Sequence, residues 1–250
     1  MQAYWTLVRR ELGSYFVSLV GYAVMAGVLF LLGLSLSMLV SSLNGQPIDV
    51  PVVELFYDTA FFWLILLIAC PVITMRTFAL EKFTGTYETL MTTPVSDVQV
   101  VLAKYTGAMI FYVVAWLPIL GYPALLRHYS VNPAAVQSGP LGGLFLGVFL
   151  IGSLYVSMGC FASSLTRSQL LAAMNAFLLG VVVFLLSFLP RMFPPQPGWQ
   201  SRVFTHISLF EHMHDFVRGV IDTRQIVFYV SLTVFFLFLT LKVVEGRRWK

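Results

Sequence analysis

The sequence predicts an all-α polytopic membrane protein with six transmembrane helices, and three observations carry that expectation. The chain of 250 residues is 58% hydrophobic and only 10% charged, whereas soluble domains carry roughly 25% charged residues. Its mean hydropathy of +0.85 leaves more apolar surface than a soluble fold of this size can hide behind a polar shell. Six apolar runs approach the length of about 20 helical residues that a hydrocarbon core of about 30 Å requires.

In order, the expected spans are 17–40, 57–75, 105–126, 141–165, 170–189 and 226–244. The first follows Arg9 and Arg10 as a signal peptide would, but its 24 uncharged residues and lack of a small-residue cleavage site make it a retained anchor. The second has its apolar core at 60–75, with Tyr57 reaching the interface. Snorkelling Lys242 extends the last beyond 241. Gly142, Gly143, Gly147, Gly152 and Gly159, with Ser153, Ser157 and Ser163, give the fourth span a small-residue surface for close packing. Pro71, Pro118 and Pro123 permit kinks.

Orientation follows from the basic residues. With both termini cytoplasmic, ten of the 15 Lys and Arg fall in inner segments, while the outer loop 41–59 has Asp49, Glu54 and Asp58 but no Lys or Arg. The expected location is the bacterial cytoplasmic (inner) membrane. The basic residues are too scattered to track nucleic acid.

The apolar cores of the runs contain no Asp, Glu, Lys, Arg or His. Ion-coupled transporters and proton pumps mark their pathways with such residues. The chain also lacks H-E-x-x-H, G-x-S-x-G and G-x-x-x-x-G-K-[ST], so neither protease nor ATPase chemistry is expected of it. Cys70 and Cys160 read as small buried hydrophobes. No metal is expected either: His212 and His214 are two residues apart, and on a helix they point to different faces. The expected chain is not an enzyme, and any energy source lies outside it.

The most polar stretch is 76–104. Good helix formers run from Phe78 to Met91; Thr92, Thr93 and Pro94 stop the helix, and Ser96 caps a restart at Asp97. Phe83, Tyr87, Leu90 and Met91 fall at i, i+4, i+7 and i+8 as an apolar stripe, with Glu81, Lys82 and Glu88 elsewhere around the helix. A helix resting on lipid headgroups is one reading, but one Lys against two Glu fits docking in a protein groove better. Near the other end of the chain, Leu209, Phe210, Met213, Phe216, Val217, Val220 and Ile221 face away from Glu211, Asp215, Arg218 and Asp222. This is a second amphipathic helix, on the outer face, and a helix lying flat at the interface fits its periodicity.

These segments carry a resemblance. "EKFTGTYETLMTTPVSDVQVVLAK" resembles the first cytoplasmic loop of ABC-2 type transporter permeases, particularly the gliding-motility-associated (Gld-type) permeases. The matching positions are Glu81, Gly85, Thr86, Glu88, Thr89, Leu90, Thr93, Pro94, Ser96 and Lys104. "YWTLVRRELGSYF", with Tyr4, Val8, Leu12 and Tyr15 on one face, is similar to the family's amphipathic elbow helix. "ISLFEHMHDFVRGVIDTRQIVFYVSLTVFFLFLT" resembles the approach to its last span.

The resemblance implies a single ABC-2 membrane domain over 1–250 that works as a dimer with a second copy or a homologous permease. It implies a coupling helix contacting a separate ABC ATPase subunit, which binds ATP and Mg; the permease binds no cofactor of its own. The coupling residues would be Glu81, Phe83, Gly85, Thr86, Tyr87, Glu88, Leu90, Met91 and Pro94. The outer helix would be a re-entrant element closing the pathway through Phe210, Met213, Phe216, Val217 and Val220. Unlike larger members the chain has no big outer-face domain, so an accessory subunit is expected. The function implied is that of an exporter's permease subunit, the alternative being a non-transporting scaffold for an ATPase in a gliding, secretion or envelope-assembly machine. The substrate is open.

Overall fold

Residues 2–43, 52–87, 95–129, 139–192 and 199–248 are described by the computed structural model of the chain. The elements are helical throughout: α1 Gln2–Phe16, α2 Leu19–Leu43, α3 Val52–Tyr57, α4 Ala60–Thr74, α5 Ala79–Thr84, α6 Asp97–Trp116, α7 Tyr122–Tyr129, α8 Gly139–Leu165, α9 Gln169–Leu186, α10 Leu189–Met192, α11 Trp199–Ile207, α12 Leu209–Val217 and α13 Thr223–Arg248. A 3₁₀ turn at Leu117–Gly121, with Pro118 in its first turn, joins α6 to α7.

Among the described residues six segments are long and apolar enough to cross a membrane: Leu19–Ser41, Ala60–Thr84, Asp97–Gly121, Pro140–Leu165, Gln169–Leu186 and Thr223–Gly246. Each overlaps one expected run, and the chain is a multi-pass membrane protein. The third span begins earlier than the expected 105 because Ser96 closes a capping box: its hydroxyl accepts from the Gln99 N–H while the Gln99 side chain accepts from the Ser96 N–H. The helix then continues unbroken through Lys104.

Two expected helices are broken at a glycine. The run from Phe78 to Met91 is interrupted after Thr84, where Gly85 turns into the left-handed region with φ 76°, and Thr86 and Tyr87 are helical again. The outer-face helix stops at Val217, with Gly219 at φ 78°. Glu88, Leu90, Met91 and Pro94 lie outside the described residues.

The helix α8 is the axis of the bundle, and α4, α6, α9, α12 and α13 all pack on it. Small residues let them approach. A Cβ on Gly152 would lie 2.1 Å from the Tyr112 ring of α6, and one on Gly159 would lie 2.0 Å from Thr74 Oγ1 of α4, distances no real side chain tolerates. By contrast α2, α9 and α13 leave most of their surface outside the protein, as lipid-facing helices do when the solvent is as apolar as their side chains.

Candidate functional sites at the two ends of the bundle

Both segments singled out by the sequence pack against α8, one at each end. At the terminal end, where α1 leads into the first span, α1 lies along α6 and buries Val8, Glu11 and Tyr15. Gly107 makes the approach possible, since a Cβ there would meet Glu11 Cβ at 2.8 Å. Burial pushes the Tyr15 phenol above its usual pKa, and its hydroxyl donates to the Ile73 carbonyl.

Burying Glu11 requires a partner. Lys104, 2% exposed, supplies it: its Nζ is 2.9 Å from Glu11 Oε1 and 2.9 Å from Glu81 Oε1. Arg10 reaches the same Glu81 oxygen at 3.0 Å. The Lys104 ammonium also lies over the Phe78 ring, 5.4 Å from its centroid. A four-residue ionic cluster therefore joins α1, α5 and α6.

The turn between α4 and α5 hangs on α8. Ser163 Oγ accepts from the Phe78 and Ala79 N–H groups, both at 3.1 Å, and donates to the Met75 carbonyl. The Lys82 ammonium donates to the Ser164 carbonyl, at the C-terminal turn of α8 where a cation is favoured. Lys82 also lies over the Tyr87 ring.

These contacts redistribute the expected coupling residues. Glu81 and Tyr87 are buried within the chain, whereas Phe83, 75% exposed, projects outward beside exposed Gly85 and Thr86. The expected stripe is thus split, because the Gly85 turn rotates Tyr87 away from Phe83. Phe83 borders a groove of about 380 Å³ with Arg167, Ser168, Gln169 and Leu170 from the α8–α9 turn.

At the opposite end the apolar face of α12 is covered by protein. Ser208 caps it by accepting from the Glu211 N–H and donates to the Ser187 carbonyl. Its apolar face sits on the α8 glycines: a Cβ on Gly143 would lie 1.7 Å from the Phe216 carbonyl oxygen, and one on Gly147 would lie 2.4 Å from Met213 Sδ. Phe210 packs on Trp63, Phe184 and Phe188. Leu209, Phe210, Met213, Phe216 and Val217 are buried, but Val220 is 56% exposed because the chain has left the helix before it.

His212 is the residue that periodicity missed. It is 2% exposed, with Nδ1 3.0 Å from the Tyr229 hydroxyl. Burial, aided by His206, lowers its pKa to about 4, against the opposing pull of Asp215 and Asp222. His214 turns elsewhere, with Nε2 3.3 Å from Glu54, which also takes Arg218 at 3.2 Å. Among the described residues no group of three or more His, Cys, Asp or Glu could hold a metal ion.

The bundle is braced at one end by ion pairs and packed at the other against a short capped helix. The family pattern described as ABC-2 family transporter protein matches residues 52–243 of this chain. The chain belongs to this family. No curated protein matches it significantly. Family membership makes the chain a membrane permease subunit, whose implied partner is an ABC ATPase subunit. The match begins after α2, so α1 and the Glu11 end of the cluster lie before it.

Proposed function

We propose that the chain is the permease subunit of an ATP-binding cassette exporter, in which a separate subunit hydrolyses ATP and drives rearrangement of the six-helix bundle. The observation that carries this reading is the outward projection of Phe83 from a segment anchored to three others: to α1 and α6 through Glu81, and to α8 through Lys82 and Ser163. A partner gripping the exposed Phe83–Thr86 tip would act on the whole bundle, because the buried side of that tip cannot slide freely. On this reading α1 is the elbow helix, the terminal end is cytoplasmic in the inner membrane, and Glu88, Leu90, Met91 and Pro94 extend the docking surface. The subunit pairs with a second copy or a homologous permease, in a Gld-type arrangement with an accessory subunit outside. Seated over α8, α12 acts as the outer gate through Phe210, Met213, Phe216 and Val217.

Co-expression with the ATPase encoded beside it tests the reading. The wild-type pair should co-purify and show ATP-dependent solute or lipid movement in vesicles. Phe83→Glu should reduce the retained ATPase at least about tenfold, the effect of losing about 1.4 kcal/mol from a buried apolar anchor, without lowering the permease's own melting temperature. A wild-type permease that retains no ATPase, or one that loses none on Phe83→Glu, removes the coupling role. ATP-driven structural change without flux replaces export by the scaffold role.

A further inference from the structure

The lipid-facing side of α9 carries one group that lipid cannot satisfy. Asn175 is exposed, and among the described residues its amide makes no hydrogen bond. It is the seventh residue of an 18-residue span, about 9 Å along the helix from its start. Acyl chains at that depth offer neither donor nor acceptor, and no water takes their place. Polar side chains on membrane helices therefore face a protein neighbour as a rule.

The surface around Asn175 has the pattern of a helix seam. Leu171, Asn175, Leu178, Val182 and Leu185 succeed one another at spacings of four, three, four and three, the a and d positions of a heptad repeat. The four apolar members are 52%, 62%, 47% and 58% exposed. The other side of the same helix is occupied: Ala172, Ala176 and Gly180 are buried, and a Cβ on Gly180 would touch Tyr155 of α8 and Leu67 of α4. With its small residues α9 packs on the bundle, and it turns a complete a/d stripe, with an asparagine at one a position, away from it.

Two copies inserted with the same orientation are related by a two-fold axis along the membrane normal, so a residue on that axis meets its own counterpart at the same depth. An amide carries both donors and an acceptor, which makes Asn175 complementary to itself. We propose that this face of α9 is the interface between two copies of the chain, with the two Asn175 amides hydrogen-bonded across the axis and fixing the register. The assignment rests on the pairing of permeases proposed above and gives it a surface. In water an asparagine at an a position sets register at a cost in affinity. In lipid the amide is dehydrated before the helices meet, so pairing it adds to affinity instead.

The test uses the full chain, in membranes and in detergent. Leu178→Cys, treated with a thiol oxidant in membranes, should run mainly as a disulfide-linked dimer, because facing d positions come within disulfide reach. Phe235→Cys, on α13 and 52% exposed, should stay mainly monomeric. Cys70 and Cys160 are buried and give an unreactive background. In detergent, Asn175→Leu should raise the dimer dissociation constant about threefold to twentyfold, the range for hydrogen bonds between membrane helices, and Asn175→Gln, which keeps the amide, should raise it less. A dimer indifferent to Asn175→Leu, or Leu178→Cys crosslinking no better than Phe235→Cys, overturns the proposal and leaves the pairing of permeases in place. So does crosslinking of Leu178→Cys to a different protein instead of its own copy. A chain monomeric by both measurements overturns the interface and the pairing together. None of these results bears on ATPase docking, which Phe83→Glu reads separately.

Discussion

Lys104→Met isolates the energetics of the terminal end. Lys104 is 2% exposed and lies 2.9 Å from each of two carboxylates. Methionine fills the space of its stem while deleting the charge. Glu81 then keeps Arg10 at 3.0 Å, but Glu11 loses the one cation paired with it among the described residues. Breaking a buried pair from one side costs about 3–5 kcal/mol, because the remaining charge stays desolvated. At about 2–4 °C per kcal/mol for a chain of this size, the melting temperature in detergent should fall by roughly 6–20 °C. Neutralising the stranded carboxylate should reverse most of that loss: Glu11→Gln in the Lys104→Met background should recover more than half of it, since replacing both members of a buried pair is often nearly neutral. Thermal unfolding followed by tryptophan fluorescence reads wild type, the Lys104→Met and Glu11→Gln single variants and the double variant. A Lys104→Met protein melting within about 2 °C of wild type, or a double variant as unstable as the sum of its singles, refutes the reasoning, because independent sites add and coupled ones do not.

Further outcomes follow at other positions. Gly143→Val places a side chain against the Phe216 carbonyl, 1.7 Å from an ideal Cβ; overpacking should cost about 1–3 kcal/mol, and hydrogen exchange should show α12 deprotected while α6 is unchanged. Ser163→Val leaves the Phe78 and Ala79 amides without their acceptor, costing about 1–3 kcal/mol and speeding exchange at those two amides. His212 titrates at about 4 when folded against an ordinary 6.5, so the unfolded chain takes up the proton first. Its contribution is complete above pH 6.5 and is lost as pH falls toward 4, about 2 kcal/mol being gone at pH 5. The drop in melting temperature between pH 7 and pH 5 should therefore be smaller in His212→Gln than in wild type, and an identical drop would show that the ring protonates without penalty.

The spans were legible because lipid imposes a length and tolerates few polar residues, a constraint strong enough to survive any error in local detail. What the sequence obscured were the points where a single residue overrides periodicity. Counting the spacing of Phe83, Tyr87, Leu90 and Met91 passes over Gly85, yet a glycine after a short helix is itself a C-terminal signal, and its left-handed turn separates Phe83 from Tyr87. Gly219 removed Val220 from the outer helix in the same way. Glu11 was readable in part: it lies three residues after Val8 and four before Tyr15, so a carboxylate stood on the face expected to be buried. Its partner was not readable, because Lys104 is 93 residues away and no local rule connects them. His212 stands out in the sequence only as half of a pair with His214 that cannot share a metal, although it falls three residues after Leu209 and four before Phe216, a position that helical geometry places at the border of the apolar stripe.

The two ends of the molecule are joined by α8 more directly than by any loop. Ser163 and Ser164 hold the α4–α5 turn and Lys82 at one end, and Gly143 and Gly147 receive Phe216 and Met213 at the other. Twenty residues separate Ser163 from Gly143, about 30 Å of helix. A tilt of about one tenth of a radian about Ser163 would carry Gly143 sideways by about 3 Å over that length. The contact at Gly143 has no room for such a shift, since a backbone carbonyl sits where its side chain would begin, and packed interfaces switch between discrete arrangements rather than deform. α12 must therefore travel with α8 or leave its seat. If it travels, the seat on Gly143 and Gly147 is kept and the contacts of Phe210 with Trp63, Phe184 and Phe188 must adjust; if it leaves, the seat itself is lost.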